Sequence, residues 1–455
     1  MAVKEFAARQ AAKRMLPLVS RMSDKDLEKV LSVAAKLTPH EFGSSMVSSL
    51  QKMCHEQHPT IEFFRRVVRQ ANPHVRERLM NSFVIKNHWY GSLRREEIRK
   101  KEGLSVPNTF IISPTMRCNL RCSNCYAANY DTKDDLEPEI IDRVLTEGED
   151  LGIFFVTILG GEPFIRPDLW GIYQRHSDIL FHIYTNGTLI DQEVARKLAE
   201  LGNVIILFSL EGLEEETDAR RGKGIFQKVM RGMDNLREAG VIFGFSVMVT
   251  RQNVETIISD EFNDMLIAKG CLFGWHFLYI PSGLGPDVSL MPTAEQRELM
   301  RLRGAQRIRE EKPILVFDFW NDAPFVGGCI AAGRHFFHIN SRGDAEPCIF
   351  VHLATDNVKQ KSLKDVLSSP YFRGIRSRQP YDRNLLRPCM IIDQPHVLRE
   401  ICAEFCPYPT HDGADTLITT LCGELDMHSA EAAKVLDPAW ERDFVARGFV
   451  SPEVI

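Results

Sequence analysis

The chain has 455 residues, of which 44% are hydrophobic and 26% charged, a composition that excludes a disordered, collagen-like or coiled-coil polypeptide. No apolar run reaches the roughly 18 residues of a membrane span, and Lys4, Glu5, Arg9, Lys13 and Arg14 break up the first twenty residues, so neither a membrane span nor a secretory signal is expected and a cytoplasmic, reducing location follows. The net charge of −5 is uneven: residues 1–105 carry 20 Lys+Arg against 11 Asp+Glu, and the other 350 carry 36 against 50. A basic N-terminal region on an acidic body allows peripheral contact with an anionic membrane, its plainer reading being a solvated helical face; nucleic acid is not an expected partner.

Residues 1–105 read as helical. Ser23-Asp24 caps a segment with Leu27, Val30, Leu31, Ala34 and Leu37 at helical spacing, and Thr38-Pro39 opens the next. Thr60 is expected to cap a segment with Phe63, Phe64, Val67 and Val68 on one side and Arg65, Arg66 and Arg69 on the other, and a charged stretch from Arg94 to Lys101 stops at Gly103. From residue 108 short β-branched runs (110–113, 154–159, 181–184, 204–209, 243–249 and 274–280) alternate with helical patterns (137–151, 192–201, 225–239 and 254–269). Six strands separated by helices predict repeated βα units and a parallel sheet over 106–290, with functional residues at the strands' carboxyl ends. Pro and Gly mark 281–292, and 291–325 reads as linker and helix, 326–410 as a Cys-rich domain and 411–455 as a helical tail.

Eleven cysteines, an odd number, do not suit a fully paired disulfide framework, and grouped thiols in a reducing compartment read first as metal ligands. Cys118, Cys122 and Cys125 follow the first strand with C-x3-C-x2-C spacing; Cys329, Cys348, Cys389, Cys402 and Cys406 form a looser group; Cys54, Cys271 and Cys422 are isolated and read as core residues. Structural zinc takes four protein ligands and a ferredoxin site supplies a fourth Cys, so three thiolates on one loop point to a cubane cluster with one iron open. Gly160, Gly161, Glu162 and Pro163 follow the second strand, Thr185-Asn186-Gly187-Thr188 the third, and Ser209-Leu210-Glu211-Gly212 ends the fourth. Arg221 lies in an Asp218…Arg221-Gly222…Gly224…Phe226 run, and Thr250 closes the fifth strand, with Asn253 just beyond.

The sequence Cys118-Asn119-Leu120-Arg121-Cys122-Ser123-Asn124-Cys125-Tyr126 resembles the signature of the radical S-adenosylmethionine (SAM) enzymes. That resemblance implies a [4Fe-4S] cluster on Cys118, Cys122 and Cys125 whose open iron chelates SAM. Reductive cleavage of SAM then gives a 5′-deoxyadenosyl radical that abstracts hydrogen from an unactivated C–H bond. It implies the methionyl amino group at Gly160, Gly161, Glu162 and Pro163, and further cofactor contacts at Asn186, Ser209, Glu211, Arg221 and Thr250. Many members carry an aromatic residue before the third Cys; here that residue is Asn124, with Tyr126 one step on. Cys329-x13-Gly343-x4-Cys348 resembles the opening of SPASM/twitch domains, implying a second [4Fe-4S] cluster on Cys329, Cys348 and Cys389, with Cys402 or Cys406 in the fourth place and zinc as the alternative occupant. The expected fold is α/β: a partial (β/α)6 TIM-like barrel with an N-terminal helical region and a C-terminal Cys-rich auxiliary-cluster domain. The expected partners are an external electron donor such as flavodoxin or ferredoxin and a peptide or lipid substrate. The rival reading is a non-catalytic iron–sulfur electron carrier or redox sensor.

Overall fold

The computed structural model describes residues 22–23, 25–29 and 51–449. The predicted positions Val30, Leu31, Ala34 and Leu37, and the Thr38-Pro39 helix start, lie outside the described residues.

Helix α1 (Pro59–Gln70) starts with proline at its first position, and the residue that caps it is His58, whose Nδ1 accepts from the Thr60 N–H at 3.2 Å. α2 (Pro73–Leu79) runs through a π-helical stretch, Met80–Gly91, into α3 (Ser92–Glu102), which stops at left-handed Gly103 as expected. Phe63, Val67, Leu79 and Phe83 of this region pack against Leu180, Ile205, Ile242 and Leu272 at the amino ends of the barrel strands. The arginines of α1 have partners within the chain. Arg66 donates to the Ile267 carbonyl at 2.9 Å and to that of Cys271 at 3.1 Å, Arg65 to the Met22 carbonyl at 2.8 Å, and Arg69 pairs with Glu62 at 2.6 Å. Among the described residues no helix is long and apolar enough to cross a membrane.

The sheet contains β1 (Phe110–Ile112), β2 (Phe155–Ile158), β3 (Leu180–Thr185), β4 (Val204–Leu210), β5 (Phe243–Val249), β6 (Phe273–Leu278) and β7 (Leu315–Asp318), parallel and in chain order. Outward residues such as Val156, Ile206, Phe245 and Val247 are buried beneath the helices that connect the strands. The stretch 291–325, read as linker and helix, contains β7: its four residues alternate Leu315 and Phe317 inward with Val316 and Asp318 outward, a run too short to stand out by pattern. β8 (His338–Ile339) pairs parallel with β1, and β9 (Asp344–Glu346) pairs antiparallel with β8, so the Cys-rich region extends the barrel sheet from its first strand. The segment read as a tail holds a helix, Cys422–Trp440, and folds back onto the body, where Asp443 pairs with Arg301 at 2.5 Å.

Candidate active site at the mouth of the barrel

The loop after β1 that carries Cys118, Cys122 and Cys125 is laced to the end of β2. The Gly161 N–H donates to the Thr115 carbonyl at 2.9 Å and the Glu162 N–H to that of Arg117 at 2.8 Å. A Cβ on Gly160, at φ +115°, would lie 2.2 Å from Thr115 O, and one on Gly161 would lie 2.1 Å from Arg117 O. The two glycines therefore bring β2 against the cysteine loop as well as lining the cavity. Asn124 sits at φ +51°, a left-handed position that asparagine tolerates and an aromatic side chain does not favour; its Nδ2 donates to the Gly285 carbonyl at 2.7 Å. Tyr126 stacks parallel to His352.

All three thiols of this loop are partly exposed on a cavity of about 2550 Å³. Burial pushes the Cys118 and Cys122 thiols up, whereas the Leu120 N–H (3.4 Å) and Asn186 Nδ2 (3.7 Å) point at the Cys118 sulfur and the guanidiniums of Arg221 and Arg220 act to lower Cys122. Asn186 is on the wall, with Nδ2 also on Asn119 Oδ1 at 2.8 Å, and Ser209 is on it as well.

Four candidate residues stand behind the wall. Glu162 is fully buried: Oε1 accepts from Phe164 N–H (3.1 Å) and Thr185 Oγ1 (2.8 Å), and Oε2 from Asn186 N–H (2.8 Å). Burial pushes its carboxyl up to about 7 against the pull of those donors. Its carboxylate ties the ends of β2 and β3 together, and with Pro163 it is set back from the cavity. Glu211 is 2% exposed and holds Arg221 (Nε 2.8 Å) and Arg220 (2.5 Å) through Oε1, while its Oε2 has no partner. Thr250 is turned toward Asn253, whose Oδ1 accepts from the Thr250 N–H at 2.7 Å; the amide of Asn253 is spent on the Glu211 and Met248 carbonyls, which takes both residues out of the cavity. Sequence reasoning named Arg221 and overlooked Arg220, which also lines the cavity and clips the cysteine loop by donating to the Ser123 carbonyl at 3.1 Å. The signal was present: two arginines at the end of α4 (Glu214–Arg221), nine and ten residues beyond a buried acid.

Cys329, Cys348 and Cys389 line the same cavity. Cys389 Sγ accepts from the Ile391 N–H at 3.4 Å, and Asp393, paired with Arg297 at 2.6 Å, accepts from the Cys389 N–H at 3.0 Å. Cys402 and Cys406 are not on this wall. A helix that starts at Pro395 carries them away, leaving Cys402 half-buried and Cys406 exposed at its left-handed end. Among the described residues no three of His, Cys, Asp and Glu converge on a single metal ion, as zinc requires. The donor set fits cubane clusters: two thiol trios with backbone and amide donors aimed at their sulfurs, and, beside the first trio, a guanidinium pair braced by a carboxylate that leaves one oxygen unpaired.

A buried network joins the two trios. Glu346, two residues before Cys348, accepts from Tyr130 OH (2.7 Å), Thr410 Oγ1 (2.5 Å) and Asn340 Nδ2 (2.9 Å), and lies 2.7 Å from His338 Nδ1, whose Nε2 meets Ser113 Oγ at 2.8 Å. Burial works to raise its carboxyl, but His338 and His352 beside it hold it well below the usual carboxylate range. His338 and His352, whose Nδ1 lies 2.6 Å from Tyr130 OH, both belong to this network.

A family profile described as the radical SAM superfamily matches residues 112–260, and one described as an iron–sulfur cluster-binding domain, SPASM, matches residues 329–390. The chain is similar to the mycofactocin maturase MftC of Mycolicibacterium smegmatis, at 37% identity over 63% of this chain and 74% of that one. It is also similar to the Fe-coproporphyrin III synthase of Methanosarcina barkeri, at 32% over 58% and 75%. Its fold is similar to that of SuiB of Streptococcus suis solved with S-adenosylmethionine: TM-score 0.53, 24% identity, 66% of this chain and 76% of that one.

Proposed function

Because the chain belongs to the radical SAM superfamily and carries a SPASM domain, with a [4Fe-4S] cluster and S-adenosylmethionine as its cofactors and auxiliary iron–sulfur chemistry, we propose that it holds one auxiliary cluster and abstracts hydrogen from an unactivated C–H bond of a peptide or lipid-like substrate held between the two thiol groups. Cys118, Cys122 and Cys125 hold the first cluster, and Cys329, Cys348 and Cys389 supply thiolates to the second. Bound there, the first cluster and SAM together supply reductive C–S cleavage and, with it, a carbon radical able to take a hydrogen atom.

The protein's own part is positional. Arg220 and Arg221, held by Glu211, face the cavity as a paired cation suited to a carboxylate. Glu162 fixes the Asn186 turn from behind, so the Asn186 amide stays aimed at the Cys118 sulfur. Glu346 locks the auxiliary hairpin onto the exit of the first cysteine loop, which keeps both trios on one wall. The electron comes from an external donor of the flavodoxin or ferredoxin class. One relative is named a mycofactocin maturase and another an Fe-coproporphyrin III synthase, so the choice of substrate rests on the cavity itself.

The observation that carries this reading is the shared cavity: three thiols, an arginine pair and a second thiol trio on one wall. A plain electron carrier has no use for the arginine pair or for so large a space. The test is anaerobic reconstitution followed by SAM and dithionite. About eight irons per chain and release of 5′-deoxyadenosine that disappears in Cys122→Ala are expected; intact SAM with both clusters loaded would favour the carrier.

A further inference from the structure

Below the thiols the cavity continues down the axis of the barrel. Side chains alternate along a strand, and in a complete eight-stranded barrel the inward ones pack into a solid core. Here the accessible face is the inner one. Along β5 to β7 the outward Phe245, Gly274, His276 and Val316 are buried, whereas inward Met248, Phe273, Trp275, Phe277 and Phe317 keep accessible surface, as Phe155 and Tyr184 do opposite them. The wall is aromatic: Trp275 stacks on Phe317 at 4.7 Å and on Phe277 at 5.8 Å, and His182 lies 5.4 Å from Phe155 and 5.0 Å from Tyr184. Burial pushes His182 down to about 3, so the imidazole is neutral. At the lower end the cavity reaches the surface among Phe64, Val84, Trp89 and Leu93, each more than a third exposed.

We propose that this bore binds a long hydrocarbon chain, acyl or prenyl, belonging to the molecule acted on at the thiol end. The inference takes the radical chemistry proposed above as the reason the chain is there, and adds the class of substrate. Three features carry it. No strand residue on the wall bears a charge; the charged wall residues lie on loops and helices at the two ends of the bore, Arg121, Arg220, Arg221 and Asp322 on the thiol side and Arg76, Arg95 and the charged residues of 96–101 at the lower end, where Arg76 and Arg95 donate to backbone carbonyls. A porphyrin's carboxylates would find no cation in between. Hydrogen-bonding groups along the strands are few, and Thr157 and His182 already face each other at 3.3 Å. A threaded peptide would bring an N–H and a C=O with every residue and leave them unpaired. Depth suits a chain, since a seven-residue strand spans about 23 Å.

The test titrates the anaerobically reconstituted full-length protein with cis-parinaric acid, whose fluorescence rises when it leaves water. Saturable binding that hexadecanol displaces is expected, weakened at least tenfold in Ser246→Trp and Leu315→Trp, which fill the bore from β5 and β7, with iron content as the check on folding. A diazirine-bearing alkyl alcohol, photolysed on the wild-type protein, is expected to label peptides containing β6 and β7. Absence of saturable binding, undiminished binding by both variants with iron intact, or labelling confined to other peptides overturns the proposal. Deoxyadenosine release from the same preparation keeps the two readings apart: chain binding without SAM cleavage sinks the radical reading and leaves the bore, and cleavage without chain binding does the reverse.

Discussion

Two buried glutamates show how individual residues set this site from behind its wall. Glu211 holds two guanidiniums with a single oxygen, and removing one partner from a buried charge group costs about 3–5 kcal/mol. Glu211→Ala is therefore expected to lose about 3 kcal/mol of stability in denaturant titration and to weaken SAM binding at least tenfold by calorimetry, with iron content retained. Glu162 makes a different prediction. Its carboxyl, ordinarily near 4.5, is pushed up to about 7. Below about pH 4.5 both native and unfolded chains hold its proton; between there and about 7 only the native chain does. Stability of the cluster-free protein should fall as pH rises through that window, by up to about 3 kcal/mol. In Glu162→Gln that share of the slope should vanish, as denaturant midpoints at pH 5 and 7.5 would show; an unchanged slope contradicts the assignment.

At the scale of elements, the site depends on two junctions. The first is the contact of β2 with the cysteine loop, where the backbones approach so closely that no Cβ fits at Gly160 or Gly161. Gly161→Ala must push the loop away from β2, and the expected result is loss of about half the iron, with the auxiliary cluster spared. The second is the hairpin of β8 and β9, held to the barrel by Glu346. Glu346→Ala strips Tyr130, Asn340, Thr410 and His338 of their common partner. The reverse pattern is expected, with auxiliary iron lost and barrel iron kept, resolved by Mössbauer spectroscopy of the two variants. Equal loss of both clusters in either variant would show that the junctions do not act separately.

For the whole molecule, the parallel barrel, the first thiol trio and the opening of the second group were legible in the sequence, because strand periodicity and cysteine spacing are local patterns. What was not legible depends on contacts between distant segments. β7 is four residues long and shows its alternation only beside β6; β8 gains a partner by returning to β1. Cys402 and Cys406 share a count with the other thiols, but a proline-started helix takes them elsewhere. The arginines of α1 read as a basic face; Arg66 serves carbonyls of the barrel, Arg65 that of Met22, and Arg69 pairs with Glu62. Glu162 and Glu211 were read as ligand contacts from their motifs; in the fold their side chains lie behind the cavity wall, Glu162 on the ends of β2 and β3 and Glu211 on the arginine pair. The claim joining these parts is that Cys118, Cys122 and Cys125 hold a cluster with one corner open to SAM, and the most direct measurement is electron paramagnetic resonance of the dithionite-reduced protein with and without SAM. The account predicts a signal that SAM shifts and that disappears when all three cysteines are replaced by alanine, leaving the auxiliary signal in place; a spectrum indifferent to SAM would contradict it.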